Sequence, residues 1–258
     1  MSDPIRVVIA GAGGRMGGET VGAVLGASPE MALVGAVDPA HDGEAITGSQ
    51  VTMTSDLAKT LRTAGADAVV VFTVPVVAMG AIRASMEAGA VPIVGTTGIT
   101  KADIEQIRQT AVQCGVGAII APNFAIGAVL MMKMAAEAVK YFPNVEVIEL
   151  HHDRKLDAPS GTALLTAKLL AEARCERPAD APDASAPARG GEYDGIRIHS
   201  VRLPGFVAHQ EVIFGGLGQT LTIRHDSLDR KSFMPGVLLA IRKSLGLREV
   251  IWGLENIL

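Results

Sequence analysis

Ile5-Arg-Val-Val-Ile-Ala10-Gly11-Ala12-Gly13-Gly14-Arg15-Met16-Gly17-Gly18 is the stretch on which the reading of the fold turns. Its first six residues are largely apolar and rich in β-branched side chains, as a buried strand requires, and after the glycines a helical pattern runs to about Ser28. Glycines at such a strand-to-helix turn let backbone amides approach a pyrophosphate, whose charge the helix N-terminus also stabilises. The strict Gly-x-Gly-x-x-Gly spacing is not kept: Met16 stands at the third glycine position and Gly17 follows one place later. A tight βα turn without a ligand would carry similar residues. A second apolar run, Met31 to Val37, ends at Asp38. That is about 20 residues beyond the turn, where a dinucleotide-binding unit places the acid that bonds the ribose. Strand before, helix after and acid in register favour a dinucleotide site.

The alternation continues outward from this unit. The patterns predict a short strand near Gln50–Met53, a helix Ser55–Ala64, a strand Ala68–Phe72, a helix Val76–Gly89, a strand Val91–Val94, a helix Lys101–Cys114 and a strand Gly117–Ile120. Strands alternating with such helices imply right-handed crossovers and a parallel sheet covered on both faces, so residues 1 to about 122 read as one doubly wound, Rossmann-type α/β domain. Ligands of such sheets bind beyond the carboxyl ends of the strands. There stand Thr73-Val-Pro75, Gly95-Thr96-Thr97-Gly98 and Ala121-Pro122-Asn123-Phe124. Each could be an ordinary turn or cap; three in succession favour a cofactor.

The pattern then changes. A Met-rich helix from Ile126 to about Tyr141, with core methionines, leads to the alternating strand Val145–Leu150. A helix Thr162–Arg174 and a Pro/Ala/Asp-rich loop, 175–188, come next. Three strands follow, roughly Ile196–Arg202, Val207–Phe214 and Gln219–Asp226, broken by Pro204-Gly205 and Gly215-Gly216, and their short turns predict an antiparallel meander. Residues 123 to about 230 thus read as a second, α+β domain on a mixed or antiparallel sheet. The sequence leaves open whether the last helix, about Lys231 to Leu245 within 231–258, completes the first domain.

Composition narrows the function. The chain has 258 residues, 48% of them hydrophobic, which is ample for full cores. A net charge of −4 without a basic run argues against a nucleic-acid partner. No apolar stretch is long enough to span a membrane, and Met1-Ser-Asp-Pro leads straight into a strand, so a non-exported, cytoplasmic protein is expected. Cys114 and Cys175 lie far apart and outside any Cys-x-x-Cys pattern, which suggests neither a disulfide nor a zinc site.

The densest chemistry lies at Glu149-Leu-His151-His152-Asp153-Arg154-Lys155-Leu-Asp157-Ala-Pro159-Ser160-Gly161-Thr162-Ala163. If the strand persists, residues 151, 153 and 155 share a face, which puts His151 and Lys155 side by side. A histidine and a lysine together supply protons near neutral pH and attract an anion. Gly161 and Thr162 open a helix whose backbone amides suit a carboxylate, with Asp157 and Ser160 as candidate caps; the same turn could be an N-cap only. No metal is expected, since adjacent histidines lack the i, i+4 spacing and a third ligand.

These residues carry a resemblance. The glycine turn, Gly95-Thr-Thr-Gly98, Ala121-Pro-Asn-Phe124 and the His151-His152-x-x-Lys155-x-Asp157-Ala-Pro-Ser160-Gly161-Thr162-Ala signature resemble, in order over most of the chain, 4-hydroxy-tetrahydrodipicolinate reductases (dihydrodipicolinate reductases) of lysine biosynthesis. The resemblance implies a Rossmann domain and a substrate domain whose sheet builds a homotetramer. It implies Lys155 as proton donor and His151 as acid/base or positioning group. His152 and the Gly161-Thr162 backbone would hold the carboxylates of a small dicarboxylate substrate. Gly11, Ala12, Gly13, Gly14, Arg15, Met16, Asp38, Gly95, Thr96, Thr97, Ala121, Pro122, Asn123 and Phe124 would contact NADH or NADPH.

Where family members carry an arginine after the second strand's acid, this chain has Asp38-Pro39. The acid suits the ribose hydroxyl of NADH and repels the 2′-phosphate of NADPH, so NADH is expected to be tolerated or preferred, with Arg15 able to reach a phosphate. Two other readings compete. An acylating semialdehyde dehydrogenase needs a nucleophilic cysteine, for which neither cysteine is placed. A dinucleotide-sensing regulator would have no need of the His/Lys/Ser-Gly-Thr cluster.

Overall fold

A computed structural model of the chain describes residues 3–176 and 187–258. Most of the expected 175–188 loop therefore lies outside the described residues. The chain forms two compact units, Met1–Phe124 with Phe233–Leu258, and Ala125–Ser232.

The first unit runs β1 (Ile5–Ala10), α1 (Arg15–Gly26), β2 (Met31–Val37), α2 (Leu57–Ala64), β3 (Ala68–Val71), α3 (Pro75–Glu87), β4 (Val91–Val94), α4 (Lys101–Cys114) and β5 (Ala118–Ile120). The chain leaves for the second unit through α5 (Ile126–Ala138), β6 (Asn144–His151), α6 (Gly161–Ala173), β7 (Gly191–Tyr193), β8 (Ile196–Arg202), β9 (Ala208–Gly216) and β10 (Gln219–Ser227). It returns to the first unit with α7 (Met234–Ser244) and β11 (Val250–Trp252).

Six parallel strands in the order β11-β5-β4-β3-β1-β2 make the first sheet. β1, β3, β4 and β5 are almost wholly buried, as expected for short Val/Ile/Ala runs sandwiched between helices. β1 has β2 on one side and β3 on the other, so the winding direction reverses there and opens a crevice at the strands' carboxyl ends. The expected strand at Gln50–Met53 does not form. Only the isolated bridges Ala45↔Thr52 and Val37↔Thr54 appear, because Gly48-Ser49 turns the chain back on itself and leaves Thr54 alone to reach β2. β11 went unread in the sequence: it has three residues, and it forms only by addition to the buried edge of β5.

The second sheet has the order β10-β9-β6-β8-β7. The expected meander is corrected here. β9 and β10 do pair antiparallel, but β8 and β9 flank β6, which is parallel to β8 and antiparallel to β9. β6 takes the centre because Val145, Val147 and Glu149 on one of its faces are buried. β6, α6 and β8 form a parallel crossover, and residues 203–207 pass over the end of β6, with Leu203 N–H donating to His151 O at 3.1 Å. In α5, Met131 and Met132 are core residues, whereas Met134 is exposed.

Candidate active site

In the first unit the glycine turn is held by hydrogen bonds from the Gly11 and Ala12 N–H groups to Val37 O, at 2.8 and 3.2 Å. Gly11 has φ of +84°, and a Cβ on it would lie 2.2 Å from Phe72 O. Gly17 takes the part of the displaced third glycine: a Cβ there would sit 1.9 Å from Gly11 O, so only glycine lets α1 pack against the turn. The helix starts at an uncapped Gly14, with Arg15 exposed and Met16 half-buried in its first turn.

Asp38 is fixed from both sides. Its Oδ2 accepts from Gly13 N–H and its Oδ1 from Ala40 N–H, both at 3.0 Å, the second as cap of a short 3₁₀ turn, Pro39–His41. A cleft of about 690 Å³ opens beside it, with Gly11, Gly14, Asp38 and Thr73 among its polar rim and Leu57, Val77 and Ala81 on its walls. A glycine cradle, an uncapped helix start and an oriented carboxylate around an apolar cleft fit a dinucleotide.

The rim residues at the ends of β4 and β5 divide. Thr96 is buried, its Oγ1 accepting from Thr73 N–H at 3.1 Å and donating to Val71 O at 3.3 Å, so its side chain ties β3 to β4. Gly95 makes room for the Phe72 ring, which meets Phe124 edge to face at 5.8 Å. Ala121 is buried, with its N–H bonded to Val94 O, whereas Thr97 and Pro122 are exposed and Asn123 is half-buried.

In the second unit the structure changes the geometry read from the sequence. β6 ends at His151, and a turn closed by Lys155 N–H donating to His152 O at 3.1 Å follows, so strand alternation does not place Lys155 beside His151. Lys155 Nζ instead bonds both Asp157 oxygens at 2.8 Å, and this bond, ahead of the lysine's charge, holds the Asp157 carboxyl below its ordinary value. The cap of α6 is Ser160, whose Oγ accepts from Ala163 N–H at 3.2 Å, rather than Asp157. A Cβ on Gly161 would meet nothing within 4 Å, so the helix start is open at that residue.

His151 is tied to Glu149, two residues back on the same strand face, through Nδ1 and Oε2. Glu149 is fully buried and is also gripped by Arg202, with Nη1 on Oε2 at 2.9 Å and Nη2 on Oε1 at 2.7 Å. Ser160 N–H reaches its Oε1 at 3.3 Å. Burial opposes ionisation of Glu149 more than any single partner favours it, but bonds from His151, Arg202 and Ser200 together prevail and hold its carboxyl at about 2. His152, beyond the strand, has a buried Nδ1 without a hydrogen-bond partner among the described residues, and desolvation, then Arg154 and His151, push its ring down.

Sequence reasoning assigned no role to Glu149 or Arg202. Glu149 was findable, because an acid two places before a histidine on an alternating strand shares its face. Arg202 was not, since its place opposite His151 depends on the β6–β8 pairing. Among the described residues no cluster of three His, Cys, Asp or Glu is arranged to hold a metal, and no helix is long and apolar enough to cross a membrane.

Residues 5–124 match the family model described as dihydrodipicolinate reductase, N-terminus, and residues 127–258 match that of its C-terminus. The chain belongs to the dihydrodipicolinate reductase family. As a member of it, the protein is an NAD(P)H-dependent oxidoreductase. It is 51% identical to the 4-hydroxy-tetrahydrodipicolinate reductase of Desulfitobacterium hafniense over 265 residues, 98% of each chain. It is equally identical to that of Geobacillus thermodenitrificans, over 98% of this chain and 99% of the other. The dipicolinate-bound dihydrodipicolinate reductase of Paenisporosarcina sp. TG-14 superposes with a TM-score of 0.88 at 43% identity, covering 99% of this chain and 100% of that one. Scyllo-inositol dehydrogenase of Lactobacillus casei, at 12% identity and a TM-score of 0.63, shares the fold alone.

Proposed function

We propose that this dihydrodipicolinate reductase family member reduces 4-hydroxy-tetrahydrodipicolinate to tetrahydrodipicolinate, the 4-hydroxyl leaving as water, in the diaminopimelate route to lysine. The observation that carries the site assignment is the convergence of His151, the backbone of the turn that bears Lys155 and Asp157, and the opening turn of α6 on one buried ion pair, Glu149–Arg202. When bound, NADH or NADPH supplies the hydride. The chain's residues do the rest. Gly11, Ala12, Gly13 and Gly14, with Arg15 and Met16, cradle the pyrophosphate, and Asp38 takes a ribose. The rim residues Gly95, Thr96, Thr97, Ala121, Pro122, Asn123 and Phe124 shape the end of the cofactor site.

Lys155 donates the proton and His151 serves as acid/base or positioning group. The lysine's partner in its salt bridge, Asp157, is 59% exposed, so the pair does not lock the ammonium away from a substrate. His152 and the Gly161 and Thr162 backbone hold the carboxylates of the dianionic substrate, which helix-end amides and nearby cations favour. The anchored Asp38 makes NADH the preferred cofactor. The enzyme works as a homotetramer in the cytoplasm.

The test is direct. The condensation product of aspartate-semialdehyde and pyruvate is supplied, and cofactor oxidation is followed by its near-ultraviolet absorbance. Substrate-dependent oxidation is expected; its absence with both NADH and NADPH would overturn the reading.

A further inference from the structure

Glu149 is a costly residue to keep. A carboxylate with no exposed surface is tolerated only when its lone pairs are filled and its charge is met. Both conditions hold here, and the partners are informative. Oε1 takes Arg202 Nη2 and the Ser160 N–H, while Oε2 takes Arg202 Nη1 and the His151 ring. If an ion pair with Arg202 were the whole purpose, the carboxylate would not need to be shared with a histidine and with the cap residue of α6. An ionised carboxylate only accepts, so the His151 Nδ1 that meets it must carry the hydrogen. The ring's other nitrogen, Nε2, is then the one that exchanges protons.

We propose that Glu149 is a positioning residue for the reduction: it holds His151 in the Nδ1–H tautomer and, through Ser160, fixes the start of α6 relative to that ring. The inference rests on the reading of His151 as the proton-exchanging or substrate-orienting group and gives that reading its physical means. Arg202 is the necessary third member. With the guanidinium sharing the carboxylate, the trio of Glu149, Arg202 and a neutral His151 ring carries no net charge, so the buried carboxylate is met without taking a proton from the ring. Arg202 also donates from Nη2 to Asp157 O at 2.7 Å, which ties the turn bearing Lys155 to the same carboxylate. The charged groups near His151 are Glu149 on its own strand, Arg202 at its register position on β8, and Asp153, Arg154 and Lys155 with His152 on the turn; its register partner on β9 is Ala208.

The experiment compares Glu149→Gln, His151→Ala and the double variant in steady-state kinetics across pH, with ¹⁵N NMR of the histidine rings in the wild-type and Glu149→Gln proteins. Glutamine keeps the shape and loses the charge. Glu149→Gln is expected to lower kcat about 100-fold, the scale of a disabled acid/base group, with KM and cofactor affinity nearly unchanged. The limb of the kcat profile that the ring governs should move to lower pH. The double variant should be no slower than His151→Ala, because the glutamine oxygen still accepts from Ser160 N–H and what the substitution removes acts through that ring. In the wild-type protein the His151 signals should report hydrogen on Nδ1 and none on Nε2. Losses that multiply in the double variant, or a fall in melting temperature with an unmoved pH profile, would make Glu149 a structural ion-pair partner and overturn the proposal; so would an Nε2–H ring. If His151→Ala turned over at the wild-type rate, the catalytic reading of His151 would fall. The NMR comparison would still decide whether Glu149 sets the ring.

Discussion

Arg202 closes on Glu149 with two parallel bonds across the β6–β8 pair, although the two residues are not register partners: Glu149 lies opposite Ser200, and Arg202 opposite His151. The arginine therefore reaches back along the strand, past the histidine, to meet the carboxylate. Such fork-to-fork pairing fixes direction as well as charge. Replacing Arg202 with Met should leave the Glu149 charge buried and unpaired, at a cost of about 3–5 kcal/mol. Adding Glu149→Leu should restore part of that stability, since it removes the unpaired charge but leaves Ser160 N–H and His151 Nδ1 without their acceptor. Turnover should stay low in both. Melting temperature and kcat measured on the same samples check this, and recovery of both together would mean the pair is structural only.

The same carboxylate makes stability depend on pH. Its folded-state value of about 2 lies below the ordinary 4.5, so the folded protein binds its proton less readily than the unfolded chain. The sign follows from linkage: this contribution is fully present above 4.5 and is lost as pH falls through the window down to about 2. At full strength it is worth on the order of 3 kcal/mol. Chemical denaturation between pH 6 and 3 should show a steeper acid loss for the wild-type protein than for Glu149→Gln, which has no such proton to take up. Parallel curves would contradict the assignment.

Lys155 is held by Asp157 and lies in a turn rather than on the strand, so its removal disturbs no core packing. Lys155→Ala is expected to reduce kcat by about 10²- to 10⁴-fold while NADH affinity, read by fluorescence titration, stays within about twofold. A matched loss of cofactor affinity would place the lysine wrongly. Asp157→Asn should have a milder effect, because it removes the partner but not the ammonium.

Much of the fold is legible in the residues alone, and the exceptions share a cause. β1, β3, β4 and β5 announce themselves through runs that must be buried on both faces, and the α1 turn through its glycines. Gly17 declared its role only through geometry: the pattern placed the third glycine at Met16, but the close approach to Gly11 O falls one residue later. The neighbours of β6 were hidden because short turns favour adjacent pairing, and nothing local says that β6 will insert between β8 and β9. His151 and Lys155 were identifiable as residue types. Their relation was not, since it depended on where the strand stopped and on an arginine brought in by that unseen pairing.

The carboxylate on which the proposed cofactor choice rests is already engaged. Asp38 accepts one backbone N–H on each oxygen, from Gly13 in the glycine turn and from Ala40 at the 3₁₀ turn, so it braces that turn besides its proposed task of meeting the ribose. Deleting it would confuse the two tasks. Asp38→Asn separates them, because the amide oxygen still accepts from one of these N–H groups while the negative charge is gone. Its expected effect is a shift of about 10- to 100-fold in the ratio of kcat/KM for NADPH over NADH, the scale of one charge-assisted hydrogen bond. Adding Pro39→Arg should carry the ratio further by offering the 2′-phosphate a guanidinium. Asp38→Ala should instead weaken both cofactors, as the glycine turn loses its brace. Equal or better efficiency of the wild-type enzyme with NADPH would show that the charge of Asp38 does not reach the 2′ position.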